Sequence, residues 1–244
     1  VPDAASAASD ILGVRVDRLS RRDALARASA FLDDSRCRHV VTANALLLLD
    51  AERNPELKRA CADADLVVAD SVGLVWAARA HRQSAVVRYP GIDFARDLCS
   101  AAARAGKSVF LLGAREGVAA AAAEFLQRSV PGLKLAGKHD GFFDENEESV
   151  AREIAASGAS VVLVALGMPK QELWIYRWKN RLPGGVAVGV GGSFDVWAGR
   201  VPRAPRWMQT SGLEWLFRAA WEPSRWGRIA RLPGFVWKVL RAPR

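Results

Sequence analysis

The feature that most constrains the fold of this chain is a series of short apolar runs that alternate with helical patterns. The runs are apolar throughout, which is typical of strands that are covered on both faces. Strands that alternate with helices predict an α/β fold with a mostly parallel sheet and helices on both faces. The apolar runs occupy 40–42, 66–69, 108–112, 161–166 and 186–190, and the helical patterns occupy 45–62, 72–79, 117–128 and 170–179.

Asp70 follows one of these runs, at the carboxyl end of a predicted strand. Open parallel sheets bind ligands beyond the carboxyl ends of their strands, and a carboxylate facing that crevice is well placed to act as a general base. The same position suits the N-cap of the next helix, because Asp side chains accept hydrogen bonds from the first helical N–H groups. Position alone leaves both interpretations of Asp70 open.

Two other strand ends carry polar groups or glycine. Thr42 and Asn44 follow the first run, where they either bind a sugar or nucleotide or cap the next helix, and position alone favours capping. The segment 113–117 joins a strand to a helix, and Gly113 lets the backbone approach a phosphate at the helix N-terminus. The segment lacks the G-x-G-x-x-G pattern, so an ordinary tight turn explains it equally well.

The segment 167–172 is the densest in polar groups. A proline suited to the first helical turn is followed at once by Lys170, Gln171 and Glu172. A helix start with solvated charges is the alternative interpretation. Three long polar side chains at the predicted mouth of the crevice favour a binding role.

The last 42 residues differ in composition from the rest of the chain. They contain eight Arg and one Lys against two Glu, which gives +7 of the formal net charge of +9, and five of the nine tryptophans. Arg binds phosphate through its fork of N–H donors, and Trp is enriched where apolar and aqueous layers meet. We therefore divide the chain into an α/β core over 1–202 and a basic, Trp-rich, membrane-proximal helical appendage over 203–244. A helix packed on the core with its arginines in solvent is the alternative.

Several chemistries lack the residues that they need. The three histidines are scattered and the D-x-D pattern at 63–65 precedes a strand, so we predict no metal site and interpret 63–65 as a solvated turn. A P-loop, a G-x-S-x-G elbow and a dinucleotide fingerprint are absent from the sequence, so we expect no cofactor. Cys37, Cys61 and Cys99 are widely spaced, which indicates reduced thiols.

Over about 14–236, an ordered set of segments resembles the WecG/TagA/CpsF glycosyltransferase family. No single segment is decisive, whereas the set in this order is highly specific. The first part comprises Thr42-x-Asn44, Ala64-Asp65-Leu66 leading to Asp70, Arg88-Tyr89-Pro90-Gly91-Ile92-Asp93, Val109-Phe110-Leu111-Leu112-Gly113 and Gly141-Phe142-Phe143. The second part comprises Gly167-x-Pro169-Lys170-Gln171-Glu172, Gly189-Val190-Gly191-Gly192-Ser193-Phe194-Asp195, Arg203-Ala204-Pro205, Gly212-Leu213-Glu214-Trp215-Leu216-Phe217-Arg218, Glu222-Pro223 and Arg225.

The resemblance implies an inverting, metal-independent transfer of a sugar from a UDP-sugar to a polyprenyl-diphosphate-linked saccharide, on a Rossmann-like sheet. It implies that Asp70 is the catalytic base and that tail arginines approach the donor diphosphate. The family usually has Gly where this chain has Ser71, so we expect a narrower pocket or a different donor sugar. With the strand-end residues above, the expected substrate-binding set is Thr42, Asn44, Arg88, Gly113, Lys170, Gln171, Glu172 and Asp195, and the expected diphosphate-binding set is Arg218, Arg225 and Arg228.

The implied partners are a UDP-sugar donor, an undecaprenyl-diphosphate-linked glycan acceptor and an anionic membrane surface, with no nucleic acid. No apolar run is long enough to span a bilayer and no signal-peptide pattern is visible, so we expect a cytoplasmic enzyme bound peripherally to the inner face of the cell membrane. Donor sugar, acceptor glycan and oligomeric state stay open. Two alternatives are a nucleotide-binding oxidoreductase, which would need G-x-G-x-x-G, and a basic nucleic-acid-binding module, whose affinity would fall steeply with salt.

Overall fold

A computed structural model describes residues 8–82, 85–146, 148–222 and 225–242. Pro223 of the pattern above, residues 1–7 of the predicted core and residues 243 and 244 of the predicted appendage lie outside this description. Eight strands are present in the described ranges: β1 Ala8–Ile11, β2 Val14–Asp17, β3 Cys37–Ala43, β4 Leu66–Ala69, β5 Ser108–Gly113, β6 Lys134–His139, β7 Val161–Ala165 and β8 Gly185–Gly189.

Six of these strands form one parallel sheet in the order β4-β3-β8-β7-β5-β6, and β1 and β2 form a separate antiparallel hairpin. Because all six strands run the same way, their carboxyl ends meet at one edge of the sheet. At that edge the ends of β4, β3 and β8 are neighbours. This topology brings together chain segments that are more than 100 residues apart.

Helices cover both faces of the sheet. Buried residues of α1, α5, α6 and α9 form a hydrophobic core on one face. Helices α2, α3, α4, α7 and α8 pack against the other face. The bounds of these helices are α1 Arg21–Ala30, α2 Ala45–Arg53, α3 Pro55–Ala62, α4 Val72–Ala80, α5 Gly91–Arg104, α6 Val118–Ser129, α7 Ser149–Ser157, α8 Lys170–Trp178 and α9 Ser193–Trp197.

The helical pattern over 45–62 predicts one helix, and the structure divides it into α2 and α3. Asn54 leaves the helical conformation at φ −121° because it precedes Pro55, which disfavours helical geometry in the residue before it. The Asn54 side chain then accepts hydrogen bonds from the N–H groups of Glu56 and Leu57 and caps α3. The break is therefore a built helix boundary.

Beyond residue 202, the described part of the chain contains four short helices: α10 Arg206–Thr210, α11 Glu214–Trp221, α12 Trp226–Ile229 and α13 Leu232–Arg241. Phe235 and Val239 of α13 are buried in the same cluster as residues of α2 and α4, and Arg231 binds Asp50 of α2 at 2.6 Å. The predicted fold class, a parallel α/β sheet with a C-terminal helical region, is confirmed. None of the helices in the described ranges has the length and apolar character needed to cross a membrane.

Candidate active site

The neighbouring ends of β4, β3 and β8 bring the strand-end residues together. The Asp70 N–H donates to the Ala43 carbonyl at 2.8 Å, which joins the ends of β4 and β3. Oδ1 of Asp70 accepts a hydrogen bond from the Gly91 N–H at 2.7 Å, and Oδ2 makes none to another residue in the described ranges. Ser71, not Asp70, occupies the N-cap position of α4, so the capping interpretation of Asp70 is wrong.

The electrostatics around Asp70 act in both directions. Burial raises the pKa of its carboxyl above the usual range, and the Gly91 N–H and the charges of Arg88 and Arg218 oppose that rise. The charge of Glu214 adds to it. A carboxylate whose pKa is raised is a stronger base than one in water. With one oxygen held and the other free, Asp70 is suited to remove a proton from a hydroxyl.

Thr42 lies near the end of the neighbouring strand β3, against the backbone of Gly91. Its buried hydroxyl donates to the Gly189 carbonyl at 2.8 Å. A Cβ added at Gly91 would lie 3.3 Å from the Thr42 side chain, so the backbone that holds Asp70 rests on Thr42. Asn44 accepts hydrogen bonds from two backbone N–H groups and caps α2, as its position favours.

Gln171 and Glu172 begin α8 and are 4% and 1% exposed. Oε1 of Gln171 accepts from the Gly191 N–H at 2.9 Å, and its Nε2 donates to Oε1 of Glu172 at 2.8 Å. A Cβ added at Gly189 would lie 2.5 Å from this Nε2, so the amide fits only against glycine. Burial raises the pKa of Glu172 to about 7, and its Oε2 has no hydrogen-bond partner in the described part of the chain.

Two arginines join the C-terminal helices to the strand ends. Arg88 donates to the Asp70 carbonyl at 3.0 Å and to Glu214 of α11 at 3.4 Å. Arg203 binds both oxygens of Asp93, at 2.8 and 2.9 Å, and its Nε reaches Glu214 at 3.3 Å. Glu214 therefore bridges the two guanidinium groups, and the region beyond residue 202 contacts the core next to Asp70.

The three predicted diphosphate-binding arginines have different surroundings. Nη2 of Arg218 is 3.5 Å from the Gly192 carbonyl, and its Nε is buried without a partner among the residues described. Arg218 and Arg225 both bind Glu222. Burial alone would raise the pKa of Glu222, but these two arginines lower it overall. Arg228 is exposed.

The remaining predicted residues lie around this centre. Gly113 ends β5 at φ 116°, and a Cβ there would lie 2.6 Å from the Ala165 backbone, so the close approach of the strands requires glycine. A cavity of about 260 Å³ lies near the start of α6, which follows Gly113. The side chain of Lys170 is 63% exposed and binds Glu145 at 2.6 Å. Asp195 is partly buried on α9. Substrate binding by these residues stays a prediction.

Ser71 adds a polar group next to the carboxylate. Its hydroxyl is buried and has no hydrogen-bond partner in the described ranges. The loop before α11 packs against Val72, the residue after Ser71, because a Cβ added at Gly212 would lie 2.8 Å from the Val72 side chain. An unpartnered hydroxyl therefore stands where the resemblance leads us to expect glycine, and the C-terminal region packs beside it.

The D-x-D segment at 63–65 is only partly the solvated turn that we predict. Asp65 binds Arg38 at 2.8 Å and accepts from the His39 N–H at 2.9 Å, whereas Asp63 is exposed and accepts from the Tyr176 hydroxyl at 2.9 Å. Both carboxylates thus have structural partners. Within the described ranges, no three His, Cys, Asp or Glu side chains cluster so that they could hold a metal ion. All three cysteines are free and buried.

Sequence reasoning gave no individual role to four residues that shape the site: Gly91, Asp93, Arg203 and Glu214. All four lie inside segments that carry the resemblance to the family, which indicates their positions but not their individual roles. Their pairings join residues about 110 and 126 positions apart. Such distant partners follow from the topology and leave no spacing signal in the sequence.

A parallel sheet with a held carboxylate and several guanidinium groups at neighbouring strand ends defines an α/β protein whose site suits proton removal beside an anionic ligand. The chain belongs to the glycosyl transferase WecG/TagA/CpsF family, whose family model matches residues 9–244. This membership favours a transferase over the oxidoreductase and nucleic-acid alternatives.

Three curated relatives illustrate the similarity. A protein of Bacillus spizizenii is 37% identical over 216 residues, which cover 88% of this chain and 84% of that protein. A protein of Bacillus subtilis is 32% identical over 202 residues, or 83% and 78% of the two chains. A protein of Staphylococcus aureus is 32% identical over 237 residues, or 96% and 93%. Each relative is named N-acetylglucosaminyldiphosphoundecaprenol N-acetyl-beta-D-mannosaminyltransferase.

Proposed function

We propose that this chain is an inverting glycosyltransferase that moves a sugar from a UDP-sugar donor to a hydroxyl of an undecaprenyl-diphosphate-linked saccharide, in the synthesis of a cell-surface glycopolymer. The observation that carries the proposal is the geometry of Asp70, whose Oδ1 is held by Gly91 while Oδ2 stays free, beside Arg88 and Arg218. The names of the relatives support N-acetylmannosamine as the transferred sugar and N-acetylglucosaminyl-diphospho-undecaprenol as the acceptor.

In the proposed reaction, Asp70 takes the proton from the acceptor hydroxyl as its oxygen attacks the anomeric carbon of the donor. Attack comes from the face opposite UDP, so the C–O bond to UDP breaks as the new glycosidic bond forms and the centre inverts. Thr42 and Gln171 hold the backbone around Asp70, and Asn44 fixes the start of α2 at the same edge. The raised pKa of Asp70 strengthens it as a base for this step.

The leaving UDP carries growing negative charge, and we propose that the chain's own cations stabilise it without a metal ion. Arg218 supports this role because its Nε is buried without a partner in the described ranges. Arg225 and Arg228 lie farther along the same region, and Glu222 keeps Arg218 and Arg225 close together. A preorganised donor of this kind lowers the activation barrier by on the order of 3 kcal/mol, which is about a hundredfold in rate.

The C-terminal helices support peripheral contact with an anionic membrane at its cytoplasmic face. The side chains of Trp207, Trp221, Trp226 and Trp237 are 54–63% exposed in this basic region, and Leu240 is 68% exposed. Trp side chains settle at the boundary between headgroups and tails, and nearby cations attract anionic lipids. We therefore keep 203–244 as a membrane-proximal appendage to the 1–202 core. Co-sedimentation with anionic vesicles and not with neutral ones checks this part of the proposal.

The central experiment measures UDP release from a panel of UDP-sugars in the presence of a short-chain N-acetylglucosaminyl-diphospho-prenol. The panel contains UDP-N-acetylmannosamine, its uronic acid, UDP-glucose and UDP-glucuronate, because Ser71 leaves donor choice open. Asp70→Asn should lower kcat by at least a hundredfold while donor affinity and thermal stability stay near wild type. Asp63→Asn is the matched control and should keep wild-type kcat, because the hydrogen-bond partner of the Asp63 carboxylate among the described residues is the Tyr176 hydroxyl, on α8, and Asp63 precedes β4 whereas Asp70 follows it.

Three results would contradict the proposal. Wild-type protein that releases no UDP from any donor would remove the glycosyltransferase assignment for these substrates. A kcat near wild type in Asp70→Asn would show that Asp70 is not the catalytic base. A product whose anomeric configuration, measured by NMR, matches the donor would remove the inverting mechanism.

A further inference from the structure

Glu172 is a buried carboxyl group that the proposed mechanism does not use. It is 1% exposed, so its side chain lies beneath the surface that a substrate would touch. The Gln171 amide donates to it at 2.8 Å, and its own backbone N–H also favours the ionised carboxylate. We propose that Glu172 is a positioning residue that fixes the orientation of the Gln171 amide, and that this amide in turn fixes the loop 189–192 at the end of β8. The catalytic consequence rests on the function proposed above.

The amide of Gln171 has two ends of opposite polarity, and its two partners select between them. The Gly191 N–H can only donate, so it requires Oε1, and the Glu172 carboxylate accepts, so it attracts Nε2. Without an acceptor at position 172, Nε2 would be buried and unpaired in this orientation. A flipped amide would instead place two donors against each other at Gly191.

A continuous series of contacts leads from this amide to the carboxylate of Asp70. Gly189 packs against the amide, and its carbonyl accepts from the Thr42 hydroxyl. Thr42 supports Gly91, whose N–H holds Oδ1 of Asp70. Displacement of Gln171 therefore moves the backbone that orients Asp70, although Glu172 makes no hydrogen bond or ion pair to that residue.

Fold stability does not account for a glutamate at this position. An ionised carboxylate with one unpaired buried oxygen destabilises the folded state. The groups around it add little help, because Asp50 of α2 has the same charge and is bound by Arg231, and Cys61 of α3 is a buried thiol. An apolar residue of similar size would remove this buried charge, which offsets the cost of leaving Nε2 of Gln171 unpaired, so fold stability does not require an acidic side chain here.

Two variants separate positioning from packing. Glu172→Gln keeps a carbonyl oxygen that can accept from Gln171, and Glu172→Met keeps the volume without an acceptor. For each variant we would measure the exchange rate of the Gly191 amide by NMR without substrate, the free energy of unfolding at pH 8, and kcat and KM. We expect Glu172→Met to exchange the Gly191 amide at least tenfold faster than wild type, and to lose at least tenfold in kcat/KM. Its free energy of unfolding at pH 8 should stay near wild type, because removal of the buried charge offsets the unpaired Nε2 of Gln171. Glu172→Gln should stay within threefold of wild type in exchange and kcat/KM.

Glu172→Met that keeps wild-type exchange at Gly191 would overturn the proposal. Faster exchange across the whole core, together with lower stability, would also overturn it, since that pattern marks a structural residue. Failure of Glu172→Gln to restore the slow exchange would do the same. If wild-type protein releases no UDP from any donor, the proposed function fails, but the exchange measurement still decides whether Glu172 orients Gln171.

Discussion

Gly189→Ala tests the packing at the centre of the candidate site. The added Cβ would lie 2.5 Å from Nε2, 2.8 Å from Cδ and 2.9 Å from Cγ of Gln171, which are distances that real Cβ atoms do not show. Gln171 is 4% exposed, so its side chain cannot turn away without losing its bonds to Gly191 and Glu172. Each lost hydrogen bond costs about 1 kcal/mol, and a buried group left unpaired costs about 1–3 kcal/mol more. We expect a loss of about 3–5 kcal/mol in the free energy of unfolding, from two lost hydrogen bonds and one buried group left unpaired.

Urea denaturation measures this loss, and a double-mutant cycle identifies its cause. In a Gln171→Ala background the clashing atoms are gone, so Gly189→Ala should cost less than about 0.5 kcal/mol there. Gly227→Ala is the control, because a Cβ at this helical glycine meets open space and should be neutral or stabilise the protein by up to about 1 kcal/mol. An equal cost of Gly189→Ala in both backgrounds would refute the assignment of the clash to Gln171.

Four further outcomes are expected. The pKa of Glu172 is raised from 4.5 to about 7, so the unfolded state loses this proton at a lower pH than the folded state does. This group therefore lowers the free energy of unfolding as pH rises from about 4.5 to 7. The stability advantage of Glu172→Gln over wild type in urea denaturation should grow over that range to on the order of 3 kcal/mol. The pKa of His39, lowered from 6.5 to about 3, acts oppositely, so His39→Leu should gain stability over wild type as pH falls below 6.5, and a constant difference would contradict this. Arg218→Met should lower kcat about a hundredfold in the UDP-release assay, with partial recovery in Arg218→Lys. EDTA should leave the UDP-release rate unchanged, and a loss restored by Mg²⁺ or Mn²⁺ would show that a metal takes part.

The sequence predicts the elements whose pattern is strong and continuous. The five apolar runs all become strands of the parallel sheet, because a strand buried on both faces must be apolar throughout. β6 carries two lysines, a histidine and a glycine at the edge of the sheet, so its pattern resembles a loop. The hairpin of β1 and β2 is too short and mixed in character to stand out. Helices α2 and α3 merge in the pattern because the boundary at Asn54 depends on one proline.

The candidate site is predictable to the extent that its residues lie at strand ends. Asp70, Thr42 and Gln171 were marked because the carboxyl ends of parallel strands meet at one edge. The sequence does not show which side chain faces the crevice and which is buried, since residues one or two positions apart on a helix point in different directions. Lys170 and Glu172 illustrate this difference, with one side chain in solvent and the other in the core.

The carboxylates at this edge differ in how many of their oxygens are already engaged, and this difference supports Asp70 as the base. Asp93 and Glu214 have both oxygens on guanidinium groups, which occupies the lone pairs that would otherwise accept a proton from a substrate. Glu222 is engaged in the same way by Arg218 and Arg225, and the free oxygen of Glu172 is buried. Asp195 makes no side-chain hydrogen bond to another described residue, so no hydrogen bond there fixes the direction of its carboxylate. A general base needs one oxygen fixed for direction and another open to the substrate, and among these carboxylates Asp70 meets both conditions.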